Sequence, residues 1–144
     1  MKPNQELIDR IRSFNRFYTN IIGLLDQHFL DSPFSLTEGR VLYEIAHIEN
    51  CSAKKIRANI SIDEGYLSRI IDSFLKKGLI TKSPSPEDGR LHIIVLTQKG
   101  RKEFASLNDH SNQLIAQIIG KLSEEEREEL VGTTDRIREL LGRE

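Results

Sequence analysis

Cysteine is almost missing from this chain: Cys51 is the single one. That excludes an internal disulfide framework and fits a reducing cytoplasm. Long apolar runs are missing too. Nothing approaches the roughly 18 residues a membrane span needs, and the N-terminus has no signal-peptide pattern, so a cytoplasmic protein without membrane contact is expected. The four histidines, His28, His47, His92 and His110, are scattered, with none of the paired spacing of a metal site. No zinc or other cofactor is expected. No catalytic triad, metal cluster or phosphate loop is recognisable, and this argues against an enzyme. Cys51 lacks a second cysteine to resolve an oxidised thiol, so a structural thiol is the simpler reading. No internal repeat or low-complexity tract occurs.

What is present is an ordinary globular composition in 144 residues, 38% hydrophobic and 30% charged. This is one domain's length, 1–144, with enough chain to bury a real core. The net charge of −1 hides a segregation. Between Ser52 and Lys102 eleven bases face five acids, a net +6, which leaves −7 for the rest. A local basic face suffices for nucleic acid, because one face makes the phosphate contacts. A solvated lysine-rich surface is the bland alternative.

Apolar residues at Leu7, Ile11, Phe14, Tyr18, Ile21, Leu25 and Phe29 approach a heptad seam and predict a long first helix. Ile8, Phe17, Ile22 and Leu24 widen the stripe beyond what a small domain would cover, which points to a second copy. Asp31-Ser32-Pro33 breaks this helix, and Ser35-Leu36-Thr37-Glu38 is a capping signature for the next. Ser52 caps a brief third helix, 53–59, with Ala53 and Ile56 inward. Asp63 caps a fourth, whose inward stripe is Leu67, Ile70, Ile71, Phe74 and Leu75, and Gly78 ends it. Two β-rich runs, 79–82 and 91–96, flank a proline-bearing loop over 83–90. Thr97 caps a fifth helix with Phe104, Leu107, Leu114, Ile118 and Leu122. Gly120-Lys121-Leu122 interrupts it, and Ser123-Glu124-Glu125-Glu126 opens the last.

The order α-α-α-α-β-β-α-α predicts a mainly α fold with a small β-hairpin wing. It is the layout of a winged helix-turn-helix lobe (36–100) between dimerisation helices (5–30 and 104–141). The fourth helix begins with small and polar residues, Gly65, Tyr66, Ser68 and Arg69, in front of its buried stripe. Such a helix fits the major groove of double-stranded DNA, while an arginine-tipped ribbon reaches the minor groove. Gly65 would permit close approach, and Tyr66 could donate to a phosphate. Arg69 could read guanine, clamp a phosphate or pair with Asp72. Arg90 would enter the narrow groove, steadied by Asp88, while Gly89 lets the turn close. Ser52, Lys54, Lys82 and Ser85 are candidates for backbone contacts.

Several of these pieces carry a family resemblance. They are Leu36-Thr37-Glu38 with Arg40-Val41-Leu42, the block Asp63 to Phe74, Lys77-Gly78-Leu79-Ile80, Pro86-Glu87-Asp88-Gly89-Arg90, and Leu96-Thr97 with Gly100-Arg101. In this order and spacing the chain resembles the MarR family of transcription regulators. The resemblance implies a homodimeric winged-helix protein of a kind that usually represses nearby genes and often releases DNA on binding a small-molecule effector or on oxidation. It also implies a ligand pocket, for which Phe17, His28, Arg40, Tyr43 and His47 are candidates. Arg40 could receive a carboxylate or pair with Glu44. The phrase Gly65-Tyr66-Leu67-Ser68-Arg69 and the wing are similar to MarR domains fused to GNAT-type acetyltransferases. The chain reaches Glu144 with no acetyl-CoA loop, so that likeness is expected to concern DNA reading. The competing reading is a winged-helix protein-interaction module without DNA binding.

Overall fold

Local capping sets most helix starts. Ser35 Oγ accepts from the Glu38 N–H, and the Glu38 carboxylate accepts from the Ser35 N–H, closing a capping box ahead of α2 (Leu36–His47). Ser52 caps α3 (Ala53–Asn59), and Asp63 caps α4 (Glu64–Lys76), accepting from the Tyr66 N–H at 3.0 Å. α1 (Gln5–Phe29) precedes them; β1 (Ile80–Pro84), β2 (His92–Leu96), α5 (Gln98–Ile119) and α6 (Glu124–Leu141) follow. The computed structural model describes the backbone of residues 4–29 and 32–142, and the side chains of 4–21 and 32–142. The expected order is found. The break placed at Asp31 lies outside the described residues.

The chain forms two compact units, residues 1–109 and 110–144, whose boundary falls within α5. In the first, the core is built on α2, α3, α4 and the hairpin. Val41, Leu42, Ile45, Ile56, Leu67, Ile70, Ile71, Phe74, Ile80, Ile94 and Leu96 are all buried. Phe34 packs edge-on against Phe74, with ring centroids 6.0 Å apart. Ala53 is exposed, contrary to the inward position expected of it, because the seven residues of α3 turn only Ile56 into the core.

The end of α4 is fixed by Gly78, whose φ of +71° is open to glycine at little cost. The Leu79 N–H donates to the Phe74 carbonyl and the Gly78 N–H to the Leu75 carbonyl. This pair is a Schellman closure, and the buried Leu79 and Phe74 supply its apolar contact. β1 leaves from there and pairs antiparallel with β2, Ile80 opposite Leu96 and Pro84 opposite His92. Ser83 and Pro84, expected in the loop, belong to the strand. Proline is tolerated at this place because it ends an edge strand and owes the ladder no donor. On its other side β2 receives one backbone bond, from the Ile94 N–H to the Cys51 carbonyl at 2.8 Å. The link before it turns at Asn50, φ 50°, a conformation asparagine tolerates.

The start of α5 closes on the end of α4. The Thr97 hydroxyl donates to the Gly78 carbonyl at 2.6 Å and accepts from the Gly100 N–H at 3.0 Å. The Thr97 N–H donates to the Leu79 carbonyl, and Lys99 Nζ to the Lys77 carbonyl. Gly100 is buried, and a Cβ on it would lie 2.0 Å from the Leu79 carbonyl oxygen.

α1 carries an apolar face that its own unit leaves uncovered. Leu7, Ile11, Phe14, Phe17 and Tyr18 are exposed, Ile11 by 62%, with Phe14 and Tyr18 stacked at 5.8 Å. In the second unit, the expected Ser123–Glu126 capping box opens α6. The hydrogen bonds with Ser123 hold the Glu126 carboxyl below its usual range. Leu130, Val131, Leu140 and Leu141 are exposed on α6.

Gly100→Ala is expected to destabilise the protein by about 3 kcal/mol, the upper range for overpacking, because backbone rather than a movable side chain blocks the new methyl. Urea unfolding followed by circular dichroism measures this. A midpoint equal to that of the wild type would contradict the close packing of α5 on Leu79.

Candidate nucleic-acid interface

α3 and α4 form the helix-turn-helix, and their mutual placement is held by side chains as well as by the core. Arg57 of α3 reaches Glu64 in the first turn of α4 at 3.5 Å. Asn59 donates to the Glu44 carboxylate of α2 at 3.0 Å. Glu44 therefore serves α3 rather than Arg40, and Arg40 is exposed without an ion pair among the described residues. The exposed Arg57–Glu64 pair contributes at most about 1 kcal/mol, but it joins the two helices at their turn.

With Leu67, Ile70, Ile71 and Phe74 buried, α4 turns Gly65, Tyr66, Ser68 and Arg69 outward. Tyr66 is 38% exposed, and the Arg69 guanidinium carbon lies 5.8 Å from its ring centroid. This is within cation–π range. The Asp72 partner considered for Arg69 is not used: no ion pair joins them among the described residues.

At the hairpin tip, the Asp88 carboxylate accepts from the backbone N–H of Arg90 at 3.0 Å. Asp88 thus steadies the turn rather than the guanidinium, as short acidic side chains do when they cap a local backbone donor. Arg90 is exposed and its guanidinium has no ion pair among the described residues. Gly89 was expected to let the turn close, yet it has no positive φ, and a Cβ there would meet nothing within 4 Å. Its small size is not required by the chain's own packing. Ser85 Oγ accepts from the Glu87 N–H, while the Ser85 N–H donates to the Leu91 carbonyl. Lys82 is exposed opposite Ile94, on the ribbon side that carries the buried pair Ile80 and Leu96.

Ser52 stands apart from the other candidates. It is only 7% exposed, and its Oγ is engaged as the α3 cap, accepting from the Lys55 N–H. Its hydroxyl is thus a structural group and not a surface one. Lys54, next to it, is exposed, and Lys55 Nζ donates to the Glu49 carbonyl. Cys51 is buried, and its thiol is pushed up to about 11, first by burial, then by the Glu44 charge, with Lys55 opposing.

Of the five ligand candidates, Tyr43 and His47 come together. Their rings stack with centroids 4.0 Å apart, and His47 Nδ1 lies 2.8 Å from the Tyr43 carbonyl oxygen. Phe104 stands edge-on to His47 at 5.7 Å. His47 and Phe104 border a cleft of about 440 Å³ between α2, β2 and the start of α5, with Ile45, Val95 and Arg101. Phe17 is 62% exposed on α1, and the His28 side chain lies outside the described residues. Sequence reasoning did not single out Arg101 or Phe104 for a site. In the sequence Arg101 stands out as a positive charge and as part of the Gly100-Arg101 motif, and Phe104 as a helix stripe residue.

Known proteins share parts of this geometry. The MarR family model matches residues 34–92, from Phe34 through the whole hairpin loop. That match spans the part of the chain that holds α2, α3, α4, β1 and the hairpin loop. The HTH-type transcriptional regulator BilQ of Clostridium symbiosum is 30% identical over 93 residues, covering 62% of this chain and 65% of BilQ. A Bacillus subtilis regulator, YdgJ, matches over 56% of its length, so the chain spans less than two thirds of these curated relatives. Among solved structures, Streptococcus pneumoniae FabT in complex with DNA has a TM-score of 0.79 at 19% identity, covering 94% of this chain and 97% of FabT. Bordetella bronchiseptica BpsR, whose DNA binding is regulated by 6-hydroxynicotinic acid, has a TM-score of 0.73 at 21% identity, covering 88% and 90%. These structural likenesses establish the mainly α winged-helix fold. Among the described residues, no helix is long and apolar enough to cross a membrane, and no cluster of three metal-ligating side chains occurs.

The buried thiol gives a direct check on the packing of this lobe. At pH 8 native Cys51 is expected to react with iodoacetamide at least about a hundredfold more slowly than in denaturant, since a raised pKa removes thiolate and burial blocks access. Because the folded pKa is the higher one, stability is intact below about pH 9 and declines as pH rises towards about 11. Fast native labelling would contradict the burial.

Proposed function

We propose that this protein is a member of the MarR family, a cytoplasmic, sequence-specific DNA-binding transcription regulator acting as a homodimeric repressor, and not an enzyme. The observation that carries this is the outward face of α4. Gly65, Tyr66, Ser68 and Arg69 stand exposed over a fully packed inner stripe, and Arg90 stands at the hairpin tip without an ion pair among the described residues. Polar groups at a helix N-terminus with a cation at a ribbon tip suit one major groove and its neighbouring minor groove. Gly89, unneeded by the chain's own packing, suits a tip that something must approach closely. Lys54, Lys82 and Ser85 would add contacts that set affinity. Ser52 would act through the α3 N-terminus it caps. The similarity of the helix and wing to the acetyltransferase-fused subtype is read as concerning the same DNA contacts.

The uncovered apolar face of α1, together with apolar residues on α6, supports pairing of two copies, with dimerisation helices before and after the 36–100 lobe in the sequence. Two copies of α4 would then enter successive major grooves about 10 bp apart on a pseudo-palindrome. A small-molecule effector, as in BpsR, would use the cleft beside His47, Arg101 and Phe104, where a cation and aromatic rings meet.

Duplexes recovered from a random-sequence library provide the test. Arg90→Ala is expected to weaken binding and lower the slope of log affinity against log salt by about 2 for a dimer, one contact per copy. Wild-type affinity of that variant across salt concentrations would remove Arg90 from the interface. Replacing Ile11 and Phe14 by aspartate is expected to give monomers by light scattering and to cost on the order of a hundredfold in palindrome affinity. A stable dimer of that variant would place the interface elsewhere.

A further inference from the structure

We infer that Tyr66 is a positioning residue for Arg69, its ring holding the guanidinium on the outward face of α4 in readiness for a guanine edge. This rests on the DNA reading proposed above. Three observations meet at one place. The guanidinium carbon sits 5.8 Å from the Tyr66 ring centroid, one helical turn away. It does not pair with Asp72, three residues in the other direction. A Cβ on Gly65 would lie 3.7 Å from Arg69 Nη1 and 3.2 Å from Asp63 Oδ2, so the missing side chain leaves both groups room.

Asp63 in turn anchors the backbone of Tyr66 by accepting its N–H at 3.0 Å. The aromatic platform is thereby tied to the helix cap. An arginine already gathered onto such a platform loses less rotamer freedom when it docks than one waving in solvent. Arginine to guanine O6 and N7 is a bidentate contact that rewards a fixed fork. Tyr66 therefore acts through Arg69, and its contribution belongs to base discrimination more than to overall charge attraction.

The test uses duplexes selected by the wild-type protein from a random-sequence library, with single-base variants of each and an unrelated duplex. Arg69→Ala is expected to lose about 5- to 150-fold of discrimination at one guanine position per half-site. Tyr66→Ala should lose about 2- to 5-fold at that same position, the range for an exposed cation–π contact, with its salt slope and urea midpoint unchanged. Tyr66→Phe should keep wild-type discrimination. The double alanine variant should lose no more discrimination than Arg69→Ala alone. Additive losses, or a Tyr66→Phe variant as impaired as Tyr66→Ala, would overturn the inference while leaving DNA reading intact. A wild-type protein that bound every duplex equally would overturn both.

Discussion

Everything in the reading lobe depends on one close approach, that of Gly100 to the Leu79 carbonyl. A backbone oxygen occupies the space where a side chain would be, so α5 can start only against the turn that ends α4. Thr97 ties the same place together, donating to Gly78 and accepting from Gly100. The end of α4 and the base of the hairpin are thereby fastened to one point. Their relative position, on which the proposed joint contact of helix and wing with DNA would depend, is a property of this seam rather than of either element alone. A two-stranded ribbon has marginal order by itself. Here its base is buried through Leu79, Ile80, Ile94 and Leu96.

The chemistry of the lobe follows from how its charges are used. Three acidic side chains within it serve the protein's own backbone or a base: Asp63 caps α4, Asp88 holds the turn, and Glu64 takes Arg57. The cations Arg69 and Arg90 face outward without acidic partners among the described residues. A net charge near zero for the whole chain therefore coexists with a segment, 52–102, of net +6. Such a division favours attraction of a polyanion without a globally basic protein.

Helix starts and stops were legible in the sequence because capping is local chemistry. Ser35, Ser52, Asp63, Gly78 and Ser123 each act within a few residues, and each was found in its expected role. What was not legible depended on distant neighbours. Ala53 is exposed because α3 is too short to turn a second residue inward. Ser83 and Pro84 extend β1 because β2 offers partners that a local reading of proline cannot see. Ser52 combines cap and burial, since Cys51 beside it is drawn into the core and bonded to Ile94. The joining of Arg101 and Phe104 with His47 around one cleft likewise needed the fold, because α2 and α5 are far apart in the chain.

The hairpin has a second consequence, for how the molecule behaves at high concentration. β2 is paired on one side by β1 and touched on the other by Cys51, which leaves β1 as the open margin of the sheet. An unpaired strand margin is a template on which another chain can add. Here it is only five residues long, carries a charge at Lys82, and ends on Pro84, which has no N–H to offer. The proline that obscured the strand in the sequence thus shortens the stretch available for templated addition. The same ribbon can project its tip towards a partner without inviting strand-by-strand aggregation along its side.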